Sequence, residues 1–313
     1  MTQAAQAVPE TAALAQDPGP DRPLDPGDGG SRRRRGRTGY LLMVPATLWL
    51  LVFFVVPFYS LVATSLFDQG GSDFRGYEMT YAWGNYADVV QAYWRPFLLS
   101  LWYAGLATLV CLVLGYVLAY AIAFKAGRFK TLLLVLVIAP FFTSFLVRTL
   151  SWQLILADNG FVVDALKFLQ VLGPEDRLLA TPVAVVAGLA YNFLPFMVLP
   201  LFASLDKIDP RLVEASSDLY AHPFVGFWKV TWPLSLPGVV SGTLLTFIPA
   251  AGDFINAEFL GSTNQRVIGN VIQGQFIDAN NAPVAAALSV LLMVLIVAMV
   301  LVYVRRAGTE ELL

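Results

Sequence analysis

Six long apolar segments alternate with shorter polar stretches along the chain. They cover approximately residues 41–66, 97–124, 131–156, 182–205, 236–257 and 284–304. A helix needs about 20 predominantly apolar residues to cross about 30 Å of hydrocarbon, and each segment is long enough. The pattern therefore predicts an all-α, polytopic membrane protein with about six transmembrane helices.

The third and fifth segments are interrupted. Pro140 and Arg148 fall within the third, and Pro249 and Asp253 fall within the fifth. Proline is tolerated in a membrane helix where neighbouring groups satisfy the freed carbonyl oxygens. We therefore expect these two spans to bend, and to line protein or water rather than lipid.

Composition supports a membrane location and limits the chemistry. Apolar residues make up 57% of the chain and charged residues 13%, whereas a soluble domain carries about 25% charged residues. With one cysteine and one histidine, the chain lacks a soft-metal cluster and a nucleophile, base and orienting group for catalysis. It also lacks a phosphate-binding P-loop. We expect no catalysis, cofactor or metal on this chain, and any ATP hydrolysis on another.

The first 38 residues form a different region. They are rich in Ala, Pro, Asp and Gly and end in a run of arginines at 32–35 and 37. Such a segment has too little apolar surface to offset its chain entropy, so we predict a disordered, basic-ended tail. A cleaved signal is the alternative, but the following apolar run is too long for a signal peptide. A transmembrane domain then covers residues 39–306, and a short tail covers 307–313.

Lysine and arginine predict the orientation. With the N-terminus inside, the cytoplasmic side receives 14 of the 20 basic residues, and the outer side receives 5. The opposite topology would reverse the positive-inside bias. We expect both termini in the cytoplasm.

The predicted cytoplasmic loop between the fourth and fifth spans, residues 206–235, is patterned. Asp209 and Pro210 indicate the N-cap and first residue of a short helix. Pro223 should break the chain before a second helix that carries an aromatic patch. Glu214 and Asp218 lie one turn apart on the first helix. The two short helices could also simply pack beneath the membrane.

The sequence Glu214-Ala215-Ser216-Ser217-Asp218-Leu219-Tyr220, followed by Val230-Thr231-Trp232-Pro233, resembles the EAA loop of permease subunits of binding-protein-dependent ABC importers. In that family the first short helix docks in a cleft of the ATPase subunit. The resemblance implies an ATPase-coupling loop made of Glu214, Ala215, Ser216, Asp218, Tyr220, Pro223 and Pro233. Ser216, Tyr220 and Trp232 depart from the usual Ala, Gly and Leu, so the turn or the docking surface should differ.

Three further segments resemble the spermidine/putrescine branch of these permeases, and specifically the first permease of the pair. They are Pro140 to Arg148, Asn192 to Pro200 and Ile248 to Phe254, and residues 258–261 and 267–272 fit the same branch. The resemblance implies the type I ABC importer permease fold in a bacterial inner membrane. It also implies a second homologous permease, two ATPase subunits that bind ATP and Mg²⁺, and an extracytoplasmic substrate-binding protein.

A polyamine carries several ammonium groups, so its path should contain carboxylates and aromatic faces. Asp253 and Glu258 are the candidate acids, although either could instead pair with Arg148 and fix helix packing. Trp152, Tyr191 and Asn192 are candidate contacts, although aromatic residues at span ends often serve as interface anchors. Other cargoes of this superfamily (ferric iron, thiamine, phosphonates, sugars) and a gradient-driven secondary transporter are the alternatives.

Overall fold

The computed structural model describes residues 43–71, 76–209, 211, 212, 214 and 222–307. The predicted N-terminal tail, residues 215–221 of the predicted coupling loop and residues 308–313 lie outside this range. Two compact units are distinguished, one up to Pro57 and one from Phe58 onward.

Helices account for the predicted spans. The helices are α1 (Met43–Ser65), α2 (Gly84–Phe124), α3 (Lys130–Ile138), α4 (Phe145–Ile155), α5 (Phe161–Phe168), α6 (Pro182–Leu205), α7 (Trp232–Gly252), α8 (Ile255–Leu260), α9 (Ile268–Gln273) and α10 (Ala282–Ala307). Among the described residues, five helices are long and apolar enough to cross a membrane, and a sixth span is a bent pair.

The bent pair replaces the continuous third span that we expected over 131–156. A first segment, Gly127–Phe142, meets α4 at an angle of 94°. Pro140 has no N–H to continue the helical ladder, and the N–H and hydroxyl of Thr143 both donate to the Pro140 carbonyl. Ser144 is extended, and a new helix starts at Phe145. The sequence indicated a bend here, but not a near right angle.

The fifth span also differs from the expected 236–257. Its helical run begins at Phe224, well before the predicted start, and ends at Gly252. Asp253 is extended, and its Oδ1 accepts a hydrogen bond of 2.9 Å from the backbone N–H of Asn256. The Asp253 side chain thus supports the start of α8 instead of continuing α7. Pro249, by contrast, lies within α7 without ending it.

The core lies where α6 packs against α2 and α7. On α2 the buried face includes several small residues, and Ala104, Ala107, Cys111 and Ala119 are fully buried. On α6 the opposing side chains are large, and they are Met197, Val198, Leu201 and Leu205. Small residues on one helix therefore accommodate large ones on the other, and dispersion contacts are gained along the whole length.

Glycines set the distance between α6 and α7. A Cβ at Gly238 would lie 2.8 Å from the Pro200 carbonyl oxygen and 3.1 Å from the Leu201 Cα. A Cβ at Gly242 would lie 3.1 Å from the Met197 carbonyl oxygen. These neighbours are backbone atoms that a rotamer change cannot move. The Gly-x-x-x-Gly spacing thus lets the two helices touch backbone to backbone.

We predict that Gly238→Ala destabilises the protein by about 1–3 kcal/mol, because the added methyl group overpacks the α6–α7 contact. Gly105→Ala is the matched control, since a Cβ there meets no atom within 4 Å and should only add helix propensity. The measurement is thermal unfolding of the purified protein in detergent. Equal melting temperatures for the two variants would contradict this account of the core.

Candidate functional site

The loop between the fourth and fifth spans begins as the sequence predicts. The Oδ1 of Asp209 accepts a hydrogen bond of 2.9 Å from the Arg211 N–H, and the Leu212 N–H donates to the Asp209 carbonyl. Arg211, Leu212 and Glu214 are helical, and the Glu214 side chain is exposed. Asp209 therefore caps the start of a short helix that presents Glu214 on its surface.

The remaining predicted coupling residues are only partly described. Ala215, Ser216, Asp218 and Tyr220 lie outside the described residues, so their roles stay predictions. Pro223 begins a helical turn, and Pro233 is exposed at the second position of α7, directly after the π-helical stretch Phe227–Thr231.

The second helix of the loop is joined to the fifth span. Helical turns run from Pro223 through a π-helical stretch, Phe227–Thr231, directly into α7. The chain breaks at His222, whose Nδ1 lies 3.4 Å from the Phe224 nitrogen that donates to it. The expected separate second helix is therefore the first part of the helical run that contains α7.

The aromatic patch on this segment is packed against α2. The Phe227 ring lies 5.5 Å from the Tyr116 ring, and the Trp232 ring lies 5.4 Å from it. The Tyr116 hydroxyl is 2.8 Å from the Ser235 hydroxyl. Tyr116 and Ser235 are contacts that the sequence did not single out. They connect the start of α7 to the core formed by α2 and α6.

An ion pair lies at the beginning of the same loop. The Lys130 ammonium, at the start of α3, contacts the Asp206 carboxylate just after α6. It also lies 5.1 Å from the centre of the Phe202 ring. Both charged side chains are about one-third exposed, so solvent screening keeps the contribution of this pair small. Its consequence is positional, because it links the third and fourth spans beside the coupling loop.

A buried polar cluster joins α4, α6 and α8. The Asn192 side chain on α6 is almost fully buried and donates to the Asn256 Oδ1 at 3.1 Å and, more weakly, to the Thr149 hydroxyl at 3.4 Å. Asn256 in turn donates to the Asp253 Oδ1 at 3.0 Å. The Oδ1 of Asn192 is buried and has no hydrogen-bond partner. Two predicted path residues, Asn192 and Asp253, are thus connected through Asn256.

Glu258 belongs to a neighbouring arrangement. It is exposed on α8, and its Oε2 accepts a hydrogen bond of 2.8 Å from the Asn270 side chain. Asn270 also donates to the Phe254 carbonyl, in the break before α8. Asn270 therefore holds the Glu258 carboxylate beside the break that Asp253 opens. Both predicted acids lie on the segment where the fifth span ends.

Arg148 stands apart from these acids. Its side chain is 8% exposed, and its Nε and Nη1 are buried without a hydrogen-bond partner. The guanidinium carbon lies 5.2 Å from the centre of the Phe141 ring and 5.6 Å from that of Phe145. No carboxylate of the described residues lies within salt-bridge distance of it. The alternative in which Arg148 pairs with Asp253 or Glu258 is wrong for this conformation.

Trp152 and Tyr191 meet each other. Their ring centres are 5.4 Å apart with an interplanar angle of 62°, and Tyr191 retains an exposed fraction of 37%. Tyr191 adjoins Asn192 on α6, and Trp152 lies one turn after Thr149 on α4, so the aromatic pair borders the polar cluster. Sequence analysis named the pair but missed Thr149, Asn256 and Asn270. The signal available for the two asparagines was an amide side chain flanking an interrupted apolar span.

Three comparisons relate this geometry to known proteins. A family model described as "Binding-protein-dependent transport system inner membrane component" matches residues 111–307. The spermidine/putrescine transport system permease protein PotB of Haemophilus influenzae is 36% identical over 262 residues, covering 82% of this chain and 90% of PotB.

Solved structures show the same fold. The crystal structure of a bacterial ABC transporter involved in the import of the acidic polysaccharide alginate matches with a TM-score of 0.70 and 18% identity, over 89% of this chain and 97% of that one. A bacterial alginate ABC transporter in complex with an alginate pentasaccharide-bound periplasmic protein matches with a TM-score of 0.67 and 18% identity. It covers 88% and 96% of the two chains.

These findings decide several of the expectations. The all-α importer permease fold is confirmed, and the alternative of a gradient-driven secondary transporter is excluded. The resemblance to the first permease of a pair is corrected to a resemblance to PotB.

The chain is a multi-pass protein of the inner membrane and has no catalytic role of its own, because ATP hydrolysis in such importers is done by the ATPase subunit. A family match over more than half of the chain and 36% identity to PotB lead to one assignment. The protein belongs to the family of inner membrane components of binding-protein-dependent transport systems and is a permease subunit of an ABC importer.

Proposed function

We propose that this permease translocates polyamines such as spermidine and putrescine. The observation that carries the proposal is the Asp253 carboxylate, half-buried at the break between α7 and α8 and hydrogen-bonded to Asn256. The similarity to PotB supports the same cargo. A carboxylate within a membrane domain is costly unless it faces a cavity or a partner, and a passing ammonium group would supply that partner.

The surrounding groups suit a flexible polycation. Glu258 offers a second carboxylate, exposed and held by Asn270, so two ammonium groups of one molecule have two acids on the same segment. Asn192 adds a buried carbonyl oxygen without a donor. Trp152 and Tyr191 offer ring faces at the edge of the cluster, and such faces attract cations. Carboxylate, amide and aromatic groups together favour a cationic cargo over an anionic one.

The proposed assembly contains this chain, a second homologous permease, two ATPase subunits and a substrate-binding protein on the outer side. Both termini lie in the cytoplasm, as the distribution of Lys and Arg favours. The break carrying Asp253 then lies toward the outer side, where the binding protein delivers its cargo. ATP and Mg²⁺ bind to the ATPase subunits.

Coupling runs through the short helix that carries Glu214. When ATP closes the ATPase pair, the helix moves with the cleft in which it is lodged. Because the segment after His222 continues into α7, that movement reaches the break at Asp253 through one helix. The path then opens to the outer side, and return to the inward-facing state releases the cargo. Coupling of this kind requires contacts that differ between the two states.

Cargo identity is tested by ATP hydrolysis of the whole complex reconstituted with its binding protein. We expect putrescine or spermidine to stimulate hydrolysis, and thiamine, phosphonate, ferric iron and sugars to have no effect. A complex that responds to one of the latter solutes and not to polyamines would remove the cargo and leave the importer assignment intact.

We predict that Glu214→Lys abolishes polyamine uptake while the protein still inserts in the membrane. The substitution reverses the charge on the exposed face of the short helix and removes its fit to the ATPase. Asp164→Lys, an equally exposed acid on α5, is the control and should leave uptake within about twofold. Uptake and co-purification of the ATPase are measured together. Wild-type values for both in the Glu214 variant would contradict the coupling role.

We predict that Asp253→Asn raises the KM for spermidine uptake about 10- to 100-fold, since a hydrogen bond to a charged group contributes about 1.5–3 kcal/mol. The asparagine carbonyl can still accept from the Asn256 N–H, so the start of α8 is kept. Asp164→Asn is the control. Uptake kinetics at saturating binding protein separate a higher KM from a lower amount of complex. An unchanged KM would place Asp253 outside the path.

A further inference from the structure

An apolar groove lies between α2, α7 and α10. Its volume is about 400 Å³, within the range of about 300–1,000 Å³ that small-molecule sites occupy. Its lining on α7 extends from Val239 to Phe247, which is about 12 Å along the helix axis. The hydrocarbon of one bilayer leaflet is about 15 Å thick. The groove is therefore elongated along the helices, and its length matches most of one leaflet.

The groove opens at the outer surface of these three helices. Leu109 on α2 and Met299 on α10 line it, and their exposed fractions are 56 and 39%. Gly105 lines it as well, and a Cβ at Gly105 would meet no atom within 4 Å. The residues that the structure describes thus leave this space unfilled. Atoms of the surroundings that enter it gain the dispersion contacts that an empty groove would lose.

The hydroxyl groups in the groove are already paired. The Thr108 hydroxyl donates to the Ala104 carbonyl at 2.7 Å, and the Thr243 hydroxyl donates to the Val240 carbonyl at 2.9 Å. The Tyr303 hydroxyl lies 2.7 Å from the Thr243 hydroxyl, and this contact joins α10 to α7. Because these groups are satisfied within the protein, the groove suits a hydrocarbon chain better than a polar ligand.

A positive charge lies on the same face of α10, just beyond the groove. Arg306 comes three residues after Tyr303 and seven after Met299, and helical residues at these spacings share one face. Arg306 is exposed and is the last residue of a 25-residue apolar helix, so its guanidinium group reaches the headgroup level. Arg305, by contrast, lies about 160° around the helix from Tyr303.

A phosphate group is the natural partner for this arginine. The planar guanidinium group donates to two phosphate oxygens at once, and basic residues beside grooves between membrane helices bind anionic headgroups. Neither ion pair that the structure shows among the described residues involves Arg306. A molecule with an acyl chain and a phosphate therefore complements both the apolar groove and the charge at its end.

We propose that the groove between α2, α7 and α10 binds an anionic phospholipid, with one acyl chain in the groove and the phosphate on Arg306. The chain packs beside the Thr243–Tyr303 contact and fills the space between α7 and α10. The site shares no residue with the proposed cargo path or with the coupling loop. It therefore does not depend on the identity of the cargo.

The first test measures which lipid binds. The complete complex is purified in detergent, stripped of lipid and titrated with phosphatidylglycerol or phosphatidylethanolamine, and native mass spectrometry gives the lipid bound to the permease. We expect phosphatidylglycerol to bind in preference. Arg306→Gln should weaken its binding about fivefold, the effect of one basic residue on an anionic lipid, whereas Arg306→Lys should retain most of it. Arg305→Gln is the matched control and should stay within about twofold of wild type.

The second test fills the groove. Gly105→Phe places a ring where a Cβ meets no atom within 4 Å, so the ring takes the space of the acyl chain. Leu114→Phe, exposed on the opposite side of α2, is the control. We expect phosphatidylglycerol to raise the melting temperature of wild type and of Leu114→Phe, because a ligand that binds the folded state stabilises it. The melting temperature of Gly105→Phe should not respond.

Three results would overturn the proposal. Equal binding of the two lipids by wild type would remove the anionic headgroup, and undiminished binding by Gly105→Phe would place the lipid outside the groove. Loss of a partner subunit from Gly105→Phe, with lipid binding unchanged, would make the groove a contact between proteins. If Gly105→Phe does not assemble, the comparison of Arg306→Gln with Arg305→Gln decides. Each of these results leaves the importer assignment and the proposed cargo intact.

Discussion

The structure depends on how closely α6 approaches its two neighbours. Between membrane helices the surrounding lipid is as apolar as the side chains, so contact surfaces and not water exclusion hold helices together. Gly238 and Gly242 bring α7 against the α6 backbone, and a Cβ at Gly115 on α2 would lie only 3.0 Å from the Met197 side chain. With α6 held on both sides, Asn192 is fixed at a single position between α4 and α8. The functional cluster is thus a product of helix packing.

The two broken spans have opposite electrostatic characters. The break at Asp253 creates a negative site, because a carboxylate, a buried amide oxygen and a nearby glutamate converge there. The break at Thr143 is followed by Arg148, a positive group held against phenylalanine rings. The two breaks therefore present side chains of opposite charge.

A single helical run connects the break at His222 with the break at Asp253. The segment from Pro223 through the π-helical stretch to Gly252 is continuous, and the hydrogen bond between Tyr116 and Ser235 holds it against α2. Because Asp253 follows directly, the carboxylate of the proposed cargo site lies at one end of this run.

The six apolar runs, the bends at proline and the coupling-loop pattern could all be read from the order of residues, since helix length and capping are local properties. Asp209 caps a helix as its spacing predicts, and Asn192 and Asp253 were recognised as polar groups in apolar surroundings. The partners of these groups could not be predicted. The angle at Thr143 and the connection of Asn192 through Asn256 to Asp253 depend on how distant helices pack. The same holds for the lack, among the described residues, of an acid within ion-pair distance of Arg148. Packing depends on side-chain shapes that meet across 40 to 70 positions of sequence, as between Thr149 and Asn192 or between Asn192 and Asn256.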